Sequence, residues 1–264
     1  QSQEREVLIW ILWMIMNILK QLLMNKCIII TGSNGLLGKH LVNYFKEKYL
    51  VLAIDLNTQL ENSNSVIEYS GDITLKKTWD DIINIITKKE LYLHGLINCA
   101  AITNATRSSK KEIIEAFNET LNVNVSAQYL AIETLTEIMK SQKFGRIINI
   151  GSLYASVAPT PRLYIDSSVI QTPGYTVSKH AVIGLTKFYA AQLIKDGITV
   201  NCISPGGIFD NQDKSFLSKY LEQNPSGRMA SPGDFISIIK SLLEEDNSYI
   251  TGQNISIDGG WTII

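Results

Sequence analysis

Tyr175 and Lys179, one helical turn apart, are residues whose types and spacing could carry out acid–base chemistry. Because side chains four residues apart leave the same face of a helix, the ammonium of Lys179 would lie beside the phenol of Tyr175. A free phenol has a pKa of about 10, and a neighbouring cation favours its phenolate form. Tyr175 could then exchange a proton with a substrate alcohol or carbonyl, while Ser152 holds the same oxygen by a hydrogen bond. On spacing alone, surface or packing residues are the commoner explanation of such a pair.

A glycine-rich turn between a predicted strand and a predicted helix gives the pair its significance. Gly32 would allow the tight turn, Gly35 would let backbone N–H groups approach a pyrophosphate at the helix amino terminus, and Gly38 would let helix and strand pack closely. The strand before and the helix after favour a dinucleotide site over a turn that binds nothing. The candidate cofactor contacts of this turn are Thr31, Gly32, Ser33, Asn34, Gly35, Leu36 and Gly38.

Two aspartates follow the next two predicted strands. Asp55 lies near the offset of about 20 residues at which an acidic side chain binds the adenosine ribose, and this favours NAD as the cofactor. No Arg or Lys occurs between Asp55 and Asp72 to compensate for a 2′-phosphate, although NADP stays open. Asp72, with Ile73, could flank the adenine ring, or it could cap the helix predicted from Leu75.

From Lys26 onward, short apolar runs alternate with longer amphipathic stretches, as in a parallel sheet covered by helices on both faces. The pattern predicts an α/β fold, a Rossmann-type doubly wound parallel sheet of about seven strands in a single domain over residues 24–264. The predicted strands are Cys27–Ile30, Leu50–Ile54, Ser65–Tyr69, Gly95–Asn98, Arg146–Ile150, Thr199–Ile203 and Asn254–Ile257. The predicted helices are Leu36–Glu47, Leu75–Lys88, Lys111–Lys140, Tyr175–Lys195 and Pro232–Glu244.

Composition and charge exclude several function classes. The 264 residues are 45% hydrophobic and 19% charged, with a formal net charge of -1, so we expect no nucleic-acid partner. The cysteines have neither zinc-ligand nor disulfide spacing, which favours a reducing cytoplasm, and the scattered histidines predict no metal site. These residues are Cys27, Cys99 and Cys202, and His40, His94 and His180.

The amino terminus carries an apolar run, Val7–Met16, that polar residues interrupt from Asn17 onward. A membrane-spanning helix needs about 20 mostly apolar residues, so we expect no stable membrane insertion. The flanking Glu4 and Glu6 are also unlike the positive flank of a secretory signal. We expect residues 1–23 to be an extension outside the fold, with initiation further along the chain; a peripheral membrane anchor is the alternative.

Taken together, these residues resemble the short-chain dehydrogenase/reductase family from about Lys26 to Gly260. Further matching positions are Asn98 with Ala100, Asn124, Asn201–Gly206 and Asp258–Gly260. The resemblance implies that Lys179 also binds the nicotinamide ribose and that Asn124 supports a proton-relay water. It further implies that Pro205, Gly206 and Ile208 lie in the segment that contacts the nicotinamide.

Four features depart from the family pattern. The glycines have the spacing of the extended branch, yet too few residues follow Tyr175 for that branch's added substrate domain. Ala101 replaces a glycine, and Asp210 stands where compact members have a threonine. The interval from Ser152 to Tyr175 is also longer than usual, and Arg162 occupies the usual position of the serine.

The long loop Leu153–Gly174 must rise beside the substrate end of the cofactor, where long loops commonly carry function. Arg162 could clamp a phosphate or carboxylate and Tyr164 could stack on a ring, unless both are simply solvated. The loop, together with the segments 204–212 and 252–254, resembles the flagellin-modification dehydrogenases, which are tied to nonulosonic-acid sugars. That resemblance implies a sugar phosphate or nucleotide sugar as the small-molecule substrate.

The sequence therefore predicts an NAD(P)-dependent oxidoreductase that moves hydride between nicotinamide and a secondary alcohol or ketone. One alternative is an NADPH-dependent 3-oxoacyl-carrier reductase, and another is a dinucleotide-binding scaffold without catalysis. The helices Lys111–Lys140 and Tyr175–Lys195 carry apolar residues beyond a single stripe. A second buried face on these helices would fit a homodimer or homotetramer.

Overall fold

A computed structural model of the chain describes residues 26–57, 63–103, 113–169 and 171–264. Seven strands form one sheet in the order β3-β2-β1-β4-β5-β6-β7, and every neighbouring pair is parallel. The strands are β1 (Lys26–Thr31), β2 (Leu50–Asp55), β3 (Val66–Ser70), β4 (Tyr92–Asn98), β5 (Gly145–Ile150), β6 (Ile198–Pro205) and β7 (Asn254–Ile257). The predicted doubly wound Rossmann-type sheet is thereby confirmed.

Helices cover both faces of this sheet. The α-helices are α1 (Leu36–Phe45), α2 (Lys76–Lys88), α3 (Ile113–Leu121), α4 (Ala127–Gln142), α5 (Pro173–Leu193), α6 (Lys214–Gln223) and α7 (Ile236–Leu243). A π-helical segment, Asn122–Ser126, joins α3 to α4. In the part of the chain that the structure describes, no helix is long and apolar enough to cross a membrane.

The alternation of side chains along the strands divides the core into two layers. On β1, Cys27 and Ile29 pack with α2, α4 and α5, whereas Ile28 and Ile30 pack with α1 and α7. Because both faces are covered, the central strands are apolar along nearly their whole length, as buried parallel strands require. A third cluster, rich in aromatic residues, lies beyond the carboxyl ends of the strands and includes Tyr154, Phe216 and Trp261.

The structure differs from the sequence prediction in three elements. The helix predicted as Lys111–Lys140 contains the π-helical segment, and its first two residues lie outside the described part. The helix predicted from Pro232 begins with a 3-10 turn, Pro232–Phe235, before α7. Helix α6 was not predicted, because it is only ten residues long and just two of its residues, Phe216 and Tyr220, are buried. The predicted extension over residues 1–23 lies outside the described residues.

Candidate active site

The glycine-rich turn lies at the carboxyl end of β1, where the strand order reverses between β2 and β4. Open parallel sheets bind ligands at this point. Gly32 has φ +67, and a Cβ there would come within 2.6 Å of the Cα of Ala100. A Cβ on Gly38 would come within 2.0 Å of the carbonyl oxygen of Gly32. The backbone therefore approaches itself too closely at both positions for any residue but glycine.

The amino terminus of α1 opens onto a cavity of about 690 Å³. Its N-cap residue is Gly35, and no side chain caps the helix. In the same turn, Ser33 Oγ and Asn34 Oδ1 are buried without a hydrogen-bond partner among the described residues. Open N–H groups at a helix amino terminus, with spare polar atoms beside them, fit the pyrophosphate of a dinucleotide. Gly32, Asn34, Gly35, Leu36 and Gly38 line the cavity, whereas the buried Ser33 does not.

Asp55, at the end of β2, lines the same cavity and is fixed by the glycine turn. Its Oδ2 accepts a hydrogen bond from the backbone N–H of Asn34 at 3.0 Å. The remaining acceptor capacity of the carboxylate suits the hydroxyl groups of an adenosine ribose.

Asp72 and Ile73 line the same cavity as the glycine turn. Asp72 Oδ1 accepts hydrogen bonds from the N–H and the hydroxyl of Thr74, at 2.9 and 2.7 Å. Helix α2 has Leu75 as its N-cap residue and no side-chain cap, so Asp72 orders the turn before the helix but does not cap it. Asp72 lines the cavity, and its position beside the adenine ring stays a prediction.

Thr31 and Asn98 are buried at the carboxyl ends of β1 and β4. Thr31 Oγ1 accepts hydrogen bonds from the N–H groups of Cys99 and Ala100, at 3.1 and 3.2 Å. The buried Asn98 donates to Asn149 Oδ1 at 2.9 Å. Of the predicted contacts in this segment, only Ala100 lines the cavity directly.

Cys99 also lines the cavity, and its chemistry is that of a neutral thiol. Burial raises the pKa of this thiol to about 12, and the positive charge of Lys179 only partly opposes that effect. A cysteine that stays protonated is a packing residue and not a nucleophile.

Ser152, Tyr175 and Lys179 line the other end of the cavity. Lys179 is 2% exposed, and its Nζ donates to the carbonyl of Ile150 at 2.7 Å. The same Nζ lies 5.5 Å from the ring centroid of Tyr175. Ser152 Oγ accepts a hydrogen bond from the N–H of Tyr154 at 3.2 Å, which leaves its own proton available to another acceptor. The cavity thus joins a hydroxyl donor, a phenol and an ammonium.

Asn124 lies behind these residues, fully buried in the π-helical segment. Its side-chain amide accepts from the N–H of Ile102 at 2.8 Å and donates to the carbonyl of the same residue at 3.0 Å. It also donates to Ser178 Oγ at 3.0 Å, and Ser178 in turn donates to the carbonyl of Tyr175. Asn124 therefore connects the chain after β4 to the helix that carries Tyr175 and Lys179. Asn124 itself does not line the cavity.

The segment after β6 closes the side of the cavity between these two ends. Pro205, Gly206 and Ile208 all line it, and Gly206 N–H donates to the carbonyl of Ile257 at 2.9 Å. Asp210 is exposed and lies outside the lining.

The two predicted substrate residues have different positions. Tyr164 lines the cavity, and its hydroxyl hydrogen-bonds with that of Tyr154; burial raises the pKa of both phenols. Arg162 is exposed on the 3-10 turn Pro161–Tyr164 and does not reach the cavity. A 3-10 turn has three residues per turn, so side chains two residues apart point in different directions. Arg162 and Tyr164 therefore lie on different faces of this turn.

Several residues at this end were not found from the sequence. The additional lining residues are Leu153, Tyr154, Val169, Gln171, Gln212, Phe216, Tyr220 and Met229. The sequence indicated that the loops around these residues lie near the substrate. It could not indicate which side chains line the cavity, because side-chain direction follows no fixed spacing in irregular backbone. Lys179 is the one cationic side chain among the described residues that line the cavity.

This fold and this cavity define a nicotinamide-dependent dehydrogenase or reductase. A family model described as enoyl-(acyl carrier protein) reductase matches residues 40–262. The chain belongs to the short-chain dehydrogenase/reductase family, and it is an oxidoreductase that uses NAD or NADP. Among the described residues, no group of His, Cys, Asp and Glu could hold a metal ion.

Two curated relatives illustrate the breadth of the family. The flagellin modification protein A of Campylobacter coli is 28% identical over 254 residues, which cover 91% of this chain and 99% of that protein. The 3-oxoacyl-[acyl-carrier-protein] reductase of Aquifex aeolicus is 27% identical, with 88% and 86% covered.

Solved structures similar to this chain contain NAD+, NADH or NADPH. A short-chain dehydrogenase from Leptospira borgpetersenii with bound NAD+ has a TM-score of 0.83 and 32% identity, covering 90% of this chain and 93% of that one. A 4-hydroxyisoleucine dehydrogenase with NADH has a TM-score of 0.78 and 29% identity, covering 91% and 100%. An ElxO variant with NADPH has a TM-score of 0.76 and 26% identity, also covering 91% and 100%.

Proposed function

We propose that the chain oxidises or reduces a secondary alcohol or ketone on a sugar derivative, with NAD preferred over NADP. The observation that carries the chemistry is one continuous cavity, with the glycine turn and Asp55 at one end and Ser152, Tyr175 and Lys179 at the other. Bound there, the nicotinamide cofactor supplies the donor or acceptor of hydride.

The roles of the residues follow from their positions in the cavity. Tyr175 gives a proton to the substrate oxygen, or takes one from it, and the hydroxyl of Ser152 holds that oxygen by a hydrogen bond. Lys179 stabilises negative charge on the Tyr175 oxygen and binds the nicotinamide ribose. Asn124 supports the proton relay by ordering the chain at Ile102 behind Lys179.

The cofactor preference rests on Asp55. A 2′-phosphate on the adenosine ribose would bring like charges together at this carboxylate, and among the described residues no cation lines that end of the cavity. The ribose hydroxyls of NAD, in contrast, can donate to Asp55. Thr31, Gly32, Ser33, Asn34, Gly35, Leu36 and Gly38 form the pyrophosphate turn, with Asp72 and Ile73 beside the adenine.

The sugar substrate is supported by the similarity to the Campylobacter coli flagellin modification protein A. The substrate end offers aromatic faces at Tyr164 and Phe216 and a polar amide at Gln171, a combination that suits a sugar ring. We propose a place in flagellin-glycan or nonulosonic-acid biosynthesis. Arg162 is exposed and does not line the cavity, so its expected role as a clamp for a substrate phosphate has no support in its position.

A substrate panel tests this proposal. The protein is assayed for NADH formation from NAD+ with nucleotide sugars, sugar phosphates and unphosphorylated amino sugars, and for NADPH oxidation with acetoacetyl-CoA. We expect turnover with one of the sugar classes. Turnover of acetoacetyl-CoA alone would replace the sugar proposal with the oxoacyl reductase.

That second candidate is favoured by the largely apolar wall at the substrate end, where Leu153, Val169 and Met229 could pack along an acyl chain. It is also supported by the Aquifex aeolicus relative. Asp55 opposes it, because such a reductase would use NADPH.

We further propose a homodimer or homotetramer in a reducing cytoplasm. Tyr129 on α4 and Phe188 on α5 are 50% and 60% exposed, although both flank the buried ring of Tyr189. Large exposed aromatic side chains on adjacent helices fit a face that another subunit covers. All three cysteines are free thiols, which is compatible with a reducing compartment.

A further inference from the structure

One face of helix α6 is tied along its length to the long loop between Ser152 and Tyr175. Asp213, at the amino terminus of the helix, accepts hydrogen bonds from Ser167 and Ser168 of the loop. Two turns further, Lys219 donates to the carbonyl of Ile165, and Gln223 donates to Thr160 Oγ1 at 3.2 Å. Lys219 and Gln223 are four residues apart and share one side of the helix, and Asp213 holds the amino terminus of the helix.

Asp213 carries the greatest number of these ties. One carboxylate oxygen, Oδ1, accepts from the N–H of Phe216 at 2.8 Å and so caps α6. The other, Oδ2, accepts from Ser167 Oγ at 2.7 Å and from both the N–H and the hydroxyl of Ser168 at 2.9 Å. Together these donors hold the pKa of the Asp213 carboxyl far below its ordinary value, so the residue keeps its charge.

The elements that Asp213 joins both line the substrate end of the cavity. Tyr164 and Val169 come from the loop, and Phe216 and Tyr220 come from α6. The rings of Tyr164 and Phe216 lie 5.7 Å apart, centroid to centroid. These four residues are called the substrate wall below. The wall is built from two elements distant in sequence, so its shape depends on what holds them together.

We propose that Asp213 is a positioning residue for the substrate, because it caps α6 and holds the loop against it and thereby keeps the two halves of the substrate wall in register. Asp213 itself does not touch the cavity. The proposal deepens the proposed function at the same site and rests on its placement of the substrate beside Tyr175. The part of the substrate that contacts the substrate wall is then an uncharged ring or chain, on the side away from the reacting carbon.

Two sets of variants separate the capping of α6 from the hold on the loop. Asp213→Ser keeps a helix-capping side chain but loses the second carboxylate oxygen, and with it the bonds to the loop. The double variant Ser167→Ala with Ser168→Ala leaves the cap intact and removes two of the three loop donors. Asp246→Ser is the matched control, because it replaces an exposed aspartate outside the cavity lining.

The full chain with saturating NADH is the material for the experiment. Hydrogen–deuterium exchange reports on residues 163–169 and on α6 separately. Reduction of phenanthrenequinone, an uncharged aromatic diketone that fits an aromatic wall, gives kcat and KM. Where turnover is too slow, the binding constant of the quinone in the presence of NADH replaces KM. The affinity for NADH is measured by nicotinamide fluorescence.

For Asp213→Ser we expect faster exchange in residues 163–169, retained protection in α6, and a KM for the quinone raised about tenfold, since hydrogen bonds to a charged acceptor are lost. The affinity for NADH should not change, and kcat should fall by less than KM rises. The serine double variant should act in the same direction, and its effects should not add to those of Asp213→Ser.

Three results would overturn the proposal: loss of protection confined to α6, an unchanged KM despite faster exchange in the loop, or no binding of the quinone by the wild type. Failure of the proposed function would give a different result from failure of the Asp213 proposal. In that case Tyr175→Phe would still reduce the quinone, while the exchange results for the Asp213 variants would be as expected.

Discussion

At the scale of single residues, the position of Lys179 is set by a strand as well as by its own helix. Its ammonium donates to Ile150, the last residue of β5, and lies under the ring of Tyr175. A long side chain on a helix would otherwise sample many rotamers, at a cost in entropy each time it is ordered. The hydrogen bond to the strand removes that freedom, so the positive charge is in place before a substrate binds.

Replacing Tyr175 by phenylalanine tests the acid–base role directly. Tyr175→Phe keeps the ring but removes the hydroxyl, so turnover should fall by about a hundredfold or more while NADH binds with unchanged affinity. Initial rates and fluorescence titration measure the two quantities. Tyr249→Phe, at a fully exposed tyrosine, is the control and should behave like the wild type. Substantial turnover by Tyr175→Phe would remove the residue from the mechanism.

At the scale of elements, the π-helical segment Asn122–Ser126 has a specific consequence for the site. A π-turn inserts an extra residue, which rotates the following helix relative to the preceding one. Asn124 is thereby buried between the chain after β4 and helix α5, where both ends of its amide find partners.

Removal of this amide should destabilise the fold. Asn124→Ala would leave buried polar groups of Ile102 and Ser178 without their partner, so the free energy of unfolding should fall by about 2–4 kcal/mol. Urea unfolding measures the change. Asn118→Ala, at an exposed asparagine one and a half turns earlier, should lie within the error of the wild type. Equal stability of the two variants would contradict the structural role of Asn124.

The elements also show how far the sequence could predict this fold and site. All seven strands were predicted. The five inner strands are buried on both faces and form apolar runs, whereas the edge strands β3 and β7 are only partly buried but keep short runs rich in Val and Ile. The start of β4 was placed at Gly95 and not at Tyr92, since the buried His94 and Tyr92 do not follow the apolar pattern. The π-turn at Asn124 was not predicted, because it shifts the helical periodicity by a single residue, and a shift of that size is within the ordinary variation of an amphipathic pattern.

The candidate site divides in the same way. Tyr175, Lys179 and the glycine turn have fixed spacings within one element, so the sequence carries their geometry. Arg162 and Phe216 belong to irregular or short segments, where the direction of a side chain depends on tertiary contacts such as those of Asp213. The predicted substrate role of Arg162 therefore had no local basis, and the role of Phe216 had no local signal.

At the scale of the whole molecule, the end of the sheet opposite the cavity holds a buried histidine that couples stability to pH. His94 lies against the rings of Tyr49 and Phe144 and hydrogen-bonds to the carbonyl of Leu243 at 2.7 Å. Burial lowers its pKa from 6.5 to about 4, although the Leu243 carbonyl opposes the shift. The folded protein thus keeps His94 neutral at a pH where the unfolded chain binds a proton.

Stability should therefore fall as the pH drops from about 6.5 towards about 4. Between about pH 7 and about pH 5 this residue alone should cost about 2 kcal/mol, at 1.36 kcal/mol per pKa unit. Urea unfolding at both pH values measures the decrease in the free energy of unfolding. The variant His94→Phe should lack the part of this decrease that comes from His94. His180→Gln, at an exposed histidine, should leave it in place. An identical loss in wild type and His94→Phe would contradict the assignment.

The exposed aromatic face on α4 and α5 gives a prediction about assembly. Light scattering of the wild type should show a dimer or tetramer, and Phe188→Glu should shift it towards the monomer, because a charge cannot be buried unpaired in an interface. Lys240→Glu, on α7 at the other face of the sheet, is the control for added negative charge. A wild type that is monomeric at every concentration would exclude the assembly.

The central claim is that the cavity binds NAD through the glycine turn and Asp55, and titration of the protein with NADH and NADPH tests it most directly. Nicotinamide fluorescence should show saturable binding of NADH about tenfold or more tighter than that of NADPH, because Asp55 repels the 2′-phosphate. Asp55→Asn keeps an acceptor for the N–H of Asn34 but removes the negative charge, so it should reduce the difference in affinity between NADH and NADPH. Tighter binding of NADPH, or no binding of either, would contradict the account.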